Sequence, residues 1–136
     1  MSRLVATTVM AALIVAPVWQ VKAQKVHAPT QIAGTWRGNS ECVVRNSACR
    51  DETNVYRFSE IAARPGWFSG DGSKVVNDKE ISMGTLDWQY DANSQILKSE
   101  NPHGTFRFVV EDGKMEGTLL LPDGTLYRRI HLAKLK

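Results

Sequence analysis

The chain has 136 residues and a formal net charge of +3 at pH 7. This length suits one domain with one core and leaves no room for a second domain. Its Lys and Arg residues form no cluster of the kind that neutralises phosphates, so we expect no nucleic-acid partner.

The first 23 residues have the pattern of a removable export signal. Arg3 supplies one early positive charge, a mainly apolar run extends from Leu4 to Trp19, and Ala23 is the small residue at the expected cleavage site. The alternative is an uncleaved membrane anchor, but a helix needs roughly 20 apolar residues to span a bilayer. We therefore predict a secreted or periplasmic protein with no membrane span after cleavage, divided into a signal peptide (1–23), an N-terminal lead (24–33) and a single domain (34–136).

Cleavage also changes the charge balance. Of the 17 basic side chains it would remove Arg3 and Lys22, whereas it would remove none of the 14 acidic ones. The mature chain would then carry a net charge of about +1. The basic character of the full chain is therefore largely a property of the signal.

From Gly34 onward, short runs of β-forming residues alternate with turn signals. No stretch keeps apolar residues at helical spacing for three turns, which favours an all-β fold. Eight or nine strands result. In chain order they are Gly34–Val44, Asn54–Ile61, Gly66–Gly70, Lys74–Val76, Glu80–Tyr90, Gln95–Ser99, Gly104–Glu111, Met115–Leu121 and Leu126–Leu132.

The two cysteines, Cys42 and Cys49, follow the first predicted strand and are expected to form one disulfide bond. Exported chains with an even number of cysteines usually oxidise them. A redox-active or metal-binding pair is less favoured, because the spacing is neither Cys-x-x-Cys nor part of a four-ligand set.

One loop and one turn are predicted between residues 61 and 76. Trp67 and Phe68 follow Arg-Pro-Gly and are expected at an exposed loop tip, where they would mark a rim or a partner contact. Asp71-Gly72-Ser73 is expected to be a turn between two short strands.

The last three strands are predicted to form an antiparallel meander. In Gly104–Glu111, alternation places Phe106, Phe108 and Val110 on one face. Tight turns then connect this strand to the next two, which requires an antiparallel meander because a parallel connection needs a dozen or more residues. An antiparallel series of this size must close on itself or split into two sheets. We predict a closed eight-stranded up-and-down barrel, with a small β-sandwich as the alternative.

Gly34-Thr35-Trp36 opens the first strand and resembles the Gly-x-Trp signature of lipocalins and related eight-stranded calycin barrels. In those families an Arg of the last strand packs across the Trp ring. The alternation of side chains along the last strand of this chain favours Arg128 for that position. The resemblance implies a lipocalin-like barrel with structural roles for Gly34 and Arg128. In size the chain is closer to avidin-like or fatty-acid-binding barrels than to typical lipocalins.

The chain also resembles an uncharacterised family of small exported bacterial proteins, and this resemblance implies no activity. It rests on short segments spread along the domain. These segments are Gly34–Gly38, Cys42, Cys49–Glu52, Tyr56–Phe58 and Leu121–Arg129.

No constellation of catalytic residues is visible. Ser69 directly precedes Gly70 and so lacks the spacing of a nucleophile elbow. Asp51 and Glu52 are adjacent and would point to opposite faces of a strand, so they do not form the carboxylate pair of a hydrolase. The three histidines, His27, His103 and His131, show no metal-ligand spacing. We expect no catalytic residue, no metal site and no cofactor, and a small hydrolase is the least favoured function.

Aromatic residues recur at alternate positions of several strands and should share one interior. Such an interior suits a small apolar ligand, but it also suits a dry core. The first hypothesis is an exported, non-enzymatic barrel that binds small apolar or amphipathic molecules, and the alternative is a structural or interaction domain with a filled core. The candidate ligand-binding residues are Trp36, Tyr56, Phe58, Trp88, Tyr90, Phe106 and Phe108.

Overall fold

The structure, a computed structural model, describes residues 17–20 and 31–136. The predicted signal peptide and N-terminal lead therefore lie largely outside the described residues. Among the residues described, no helix is long and apolar enough to cross a membrane.

Eight antiparallel strands form a closed barrel in which each strand pairs with the next along the chain and β8 pairs with β1. This arrangement confirms the predicted up-and-down barrel and excludes the sandwich. The strands are β1 (Gly34–Cys42), β2 (Glu52–Glu60), β3 (Trp67–Val76), β4 (Lys79–Asp91), β5 (Ile96–Asn101), β6 (Gly104–Glu111), β7 (Lys114–Leu120) and β8 (Leu126–Lys134).

The predicted turn at Asp71-Gly72-Ser73 is wrong, because β3 runs straight through it. The register with β4 shifts between Gly72 and Ser73, and Met83 of β4 is the extra residue of this β-bulge. A bulge bends the strands locally without ending their pairing. The actual turn is Asn77-Asp78, where φ angles of 49° and 62° are those of the tight hairpin turn that suits the strand twist.

The predicted exposure of Phe68 is also wrong. Phe68 is fully buried in the core, opposite Trp88 on β4. Trp67, its neighbour, points to the outer face and is half-buried beneath Arg64, whose guanidinium carbon lies 3.8 Å from the ring centroid. The strand thus begins directly after Gly66, and alternation sends one of the two rings inward.

The two ends of the barrel differ. At the end where β1 begins, the Trp36 end, the Trp36 indole N–H donates to the Ile32 carbonyl at 2.8 Å. The residue over the Trp36 ring is Lys134, with its Nζ 5.7 Å from the ring centroid. Gly34 is needed here because its φ is +127° and an added Cβ would lie 3.0 Å from the Lys134 side chain.

The predicted stacking of Arg128 on Trp36 is wrong. Arg128 pairs with Cys42 on β1 and with Leu119 on β7, at the opposite end of the barrel, which we call the disulfide end. The alternation of side chains along β8 correctly indicates that Arg128 faces inward, but alternation does not show which end of the barrel Arg128 occupies.

β4 and β5 form the weakest contact between neighbouring strands. Only three residue pairs join them, namely Gln89 with Lys98, Tyr90 with Leu97 and Asp91 with Ile96. Toward the disulfide end the two strands separate, and the Ser99 hydroxyl donates to the Asp87 carbonyl at 2.8 Å across the gap. We call this short ladder the seam.

Candidate functional site

Aromatic rings fill the middle of the barrel. Trp88 is fully buried at their centre, with ring centroids of Phe58 and Phe106 at 5.3 Å and of Phe108 at 5.5 Å. Tyr56 joins the same cluster, 6.0 Å from Trp88. Five of the seven predicted ligand-binding residues therefore belong to one cluster of contacting rings. The other two, Trp36 and Tyr90, belong to the same buried core.

A glycine in β3 makes room for this cluster. A Cβ added at Gly70 would lie 2.5 Å from the Trp88 indole nitrogen and 2.6 Å from Phe58 Cε1. Both rings thus pack against bare backbone. A molecule entering the barrel meets this filled layer, so any binding surface lies above it, toward an end.

At the disulfide end, one half of the inner surface is polar. Nη2 of Arg128 pairs with Glu52 at 3.4 Å, and Nη1 donates to the Ser40 hydroxyl at 3.2 Å. The Asn54 amide donates to the other Glu52 oxygen at 3.2 Å. Both charged side chains are mostly shielded from solvent, with exposures of 11% for Arg128 and 21% for Glu52. Shielding of this kind strengthens the Coulomb interaction of the pair relative to one on the surface.

The other half of the inner surface is apolar. Leu86, Phe106 and Leu119 face inward from β4, β6 and β7, and all three are only partly buried while they pack against the core. We call the two halves together the mouth. Its polar residues are Ser40, Glu52, Asn54 and Arg128, and its apolar residues are Leu86, Phe106 and Leu119.

The β3–β4 hairpin forms one side of the mouth and extends beyond it at its tip, and we call residues 73–83 the arm. Its inner face carries Ile81 and Met83, each 46% exposed. On the outer face, the Arg57 guanidinium of β2 makes a bidentate pair with Glu80, at 2.7 and 2.9 Å. This pair holds the arm to the outer wall, and its hydrogen bonds and charge hold the pKa of Glu80 below its usual value.

Tyr56 connects the filled layer to the mouth. Burial, and secondarily the negative charge of Glu52, raise the pKa of Tyr56 above its usual value, while the positive charge of Arg128 acts in the opposite direction. The hydroxyl therefore stays neutral at physiological pH.

The loop between β1 and β2 covers part of the mouth. The predicted disulfide between Cys42 and Cys49 is present, with Cα atoms 6.0 Å apart. The Cys42 N–H donates to the Asp51 carboxylate at 2.8 Å, and Arg128 Nη1 donates to the Arg50 carbonyl at 2.9 Å. The bridge thus fixes the loop that supplies an acceptor to Arg128.

Replacing both cysteines by serine is expected to lower the free energy of unfolding by about 2.5 kcal/mol, because the small loop they close would regain its entropy in the unfolded chain. Urea unfolding of the double variant and of the oxidised protein measures this difference. The single variant Arg45→Gln in the same loop is the control, because Arg45 is exposed, and it should lie within about 0.5 kcal/mol of the parent. An equal loss in both variants would contradict the prediction.

The histidines contribute nothing to the mouth. His131 lies on the outer face, 48% exposed, where its ring contacts Glu116. His103 is exposed in the turn between β5 and β6, and His27 lies outside the described residues. Within 17–20 and 31–136, no group of three or more His, Cys, Asp or Glu residues could hold a metal ion.

No protein-family model matches the chain, and no curated protein matches it. The fold itself is consistent with a lipocalin-like barrel, because it has eight antiparallel strands closed in chain order.

Sequence reasoning missed the polar half of the mouth. The signal was present in β2, where Asn54 alternates with Tyr56 and Phe58 and so had to share their inward face. A polar residue in an inward series predicts a hydrogen-bonded partner inside the barrel. That partner is Glu52, two residues before Asn54 in β2.

Proposed function

We propose that this protein is an exported, non-enzymatic barrel that binds a small amphipathic molecule at the mouth. The observation that carries the proposal is the division of the mouth into an apolar and a polar half directly above a filled aromatic layer. Binding sites for small molecules combine apolar walls with a few fixed polar groups. The apolar half suits a hydrocarbon portion, and the polar half suits a head group.

The disulfide supports export. Structural disulfides form and persist in oxidising compartments, whereas cytosolic thiols are kept reduced. Cys42 and Cys49 are bridged and neither is free. A secreted or periplasmic location agrees with this and with the export pattern of the N-terminus.

A structural or interaction domain with a filled core is the second candidate. The ring contacts around Trp88 favour it, because they leave the middle of the barrel without space for a ligand. The two candidates differ in one respect that can be measured. Only the first requires the mouth to bind a small molecule.

Native mass spectrometry of protein purified from its own source, together with fluorescence titration using dodecyl-chain compounds, tests the proposal. Trp88 contacts Phe106 of the mouth at 5.3 Å, so binding there should change its emission. Leu119→Gln should weaken binding at least tenfold. The matched control is Val109→Gln, which changes an exposed residue on the outer face of β6. If no added mass is found and no compound perturbs the emission, the proposal fails and the interaction domain remains.

A further inference from the structure

Lys74 faces the inside of the barrel at the mouth. It lies opposite Asn54 of β2 and opposite Ile81 of β4. Directly opposed residues in antiparallel strands point to the same face of the sheet. Because Asn54 is buried inside the barrel, with 2% of its surface exposed, Lys74 must point inward as well. Its side chain is half-buried there.

Lys74 has no carboxylate partner within the described part of the chain, whose ion pairs involve other residues. Arg128 differs in this respect. Its Nη1 donates to the Ser40 hydroxyl, the Ser40 carbonyl and the Arg50 carbonyl, and its Nη2 pairs with Glu52. Of these two cations, Lys74 is therefore the one that remains available for a ligand.

The inward-facing side chains at the mouth carry a net positive charge. Glu52 contributes one negative charge and Arg128 compensates it. Lys74 adds a positive charge, and Lys79, opposite Val76 at the tip of the arm, adds another on the same face. Lys74 is half-buried as a residue and lies opposite the apolar Ile81. A charge that is partly shielded from solvent interacts with an anion more strongly than one in bulk water, because the local dielectric constant is lower.

We propose that the molecule bound at the mouth is an anionic amphiphile whose head group is held by the Lys74 ammonium group. Its hydrocarbon portion lies on Leu86, Phe106 and Leu119, the apolar half of the mouth. This inference rests on the proposed function and adds the sign of the ligand's charge and the residue that recognises it. Lys74 acts as a specificity residue, because it discriminates among amphiphiles of the same chain length.

Three probes with the same chain length test the inference: laurate, dodecanol and dodecyltrimethylammonium, each below its aggregation concentration. Trp fluorescence and native mass spectrometry report binding. Laurate should bind at least tenfold more tightly than dodecanol, and the cationic probe should bind most weakly. Lys74→Gln should abolish the preference for laurate over dodecanol, whereas Lys74→Arg should retain it.

Lys98→Gln is the matched control, because Lys98 lies on the outer face and pairs with Glu100 at 2.8 Å. It should leave the preference for laurate unchanged, and thermal unfolding of each variant verifies that it is folded. If laurate and dodecanol bind equally to the parent and Lys74→Gln has no effect, the role of Lys74 is overturned while the proposed function stands. If none of the three probes binds, the inference is overturned, and the proposed function is overturned with it when protein purified from its own source also carries no added mass.

Discussion

Replacement of Trp88 by alanine is expected to lower the free energy of unfolding by about 3 to 5 kcal/mol, the range found when a large buried aromatic residue is truncated. Trp88 is fully buried and contacts Phe58, Phe106 and Phe108. Removing it leaves a void that these rings fill only in part, because strands on opposite sides of the barrel carry them. Urea unfolding followed by far-UV circular dichroism measures the loss.

Two further variants isolate the packing contribution. Trp88→Phe should cost less than Trp88→Ala, since it keeps a ring in place and removes an indole N–H that is buried without a hydrogen-bond partner. Trp67→Ala removes a half-buried indole from the outer face and should cost about 1 kcal/mol. A loss below about 1 kcal/mol for Trp88→Ala would show that the middle of the barrel is not tightly packed.

Gly38→Ala is expected to lower the free energy of unfolding by more than about 3 kcal/mol, or to prevent folding, because the new methyl group has no space. A Cβ at Gly38 would lie 1.8 Å from the His131 carbonyl oxygen and 2.9 Å from the Leu132 Cα. These are backbone atoms of β8, which cannot move aside as a side chain can. The substitution therefore forces β1 away from β8 where the barrel closes.

Gly72→Ala is the control for this clash, since Gly72 also lies in a strand and faces the interior. Its added Cβ would meet only side chains, with Tyr56 Cε1 at 3.3 Å and Met83 Cε at 3.6 Å. The expected change is within about 1 kcal/mol. Thermal and urea unfolding of both variants provide the comparison, and similar values for the two would refute the steric explanation.

The fold was predictable from the sequence wherever strand alternation and turn residues agreed. Phe106 and Phe108 alternate with polar or exposed residues and do face the core, and a tight turn, Asp112-Gly113, follows β6 as predicted. The prediction failed at Asp71-Gly72-Ser73, where residues typical of turns lie within a strand. The β-bulge opposite explains this, since a bulge depends on pairing with β4 that no local pattern in β3 reveals.

The mouth was only partly predictable. The alternation of side chains along β8 correctly predicts that Arg128 faces inward. Its partner, however, depends on the register between strands that are distant in sequence. The ion pair joins Arg128 to Glu52, which is 76 residues away along the chain. In a barrel, that register is set by the tilt and stagger of all the strands together. Lys74 was missed for a related reason. The sequence places it in a separate short strand, Lys74–Val76, so the inward alternation of Phe68 and Gly70 is not carried across the predicted turn, whereas β3 is one continuous strand.

The seam has a consequence for how the barrel moves. Three residue pairs join β4 to β5, whereas every other neighbouring pair of strands shares at least six. Local opening costs least free energy where the fewest contacts are broken. We therefore expect the barrel to open between β4 and β5, in the middle of the strand order, rather than between β1 and β8, its first and last strands. Amide hydrogens along the seam should exchange with solvent before those of any other ladder.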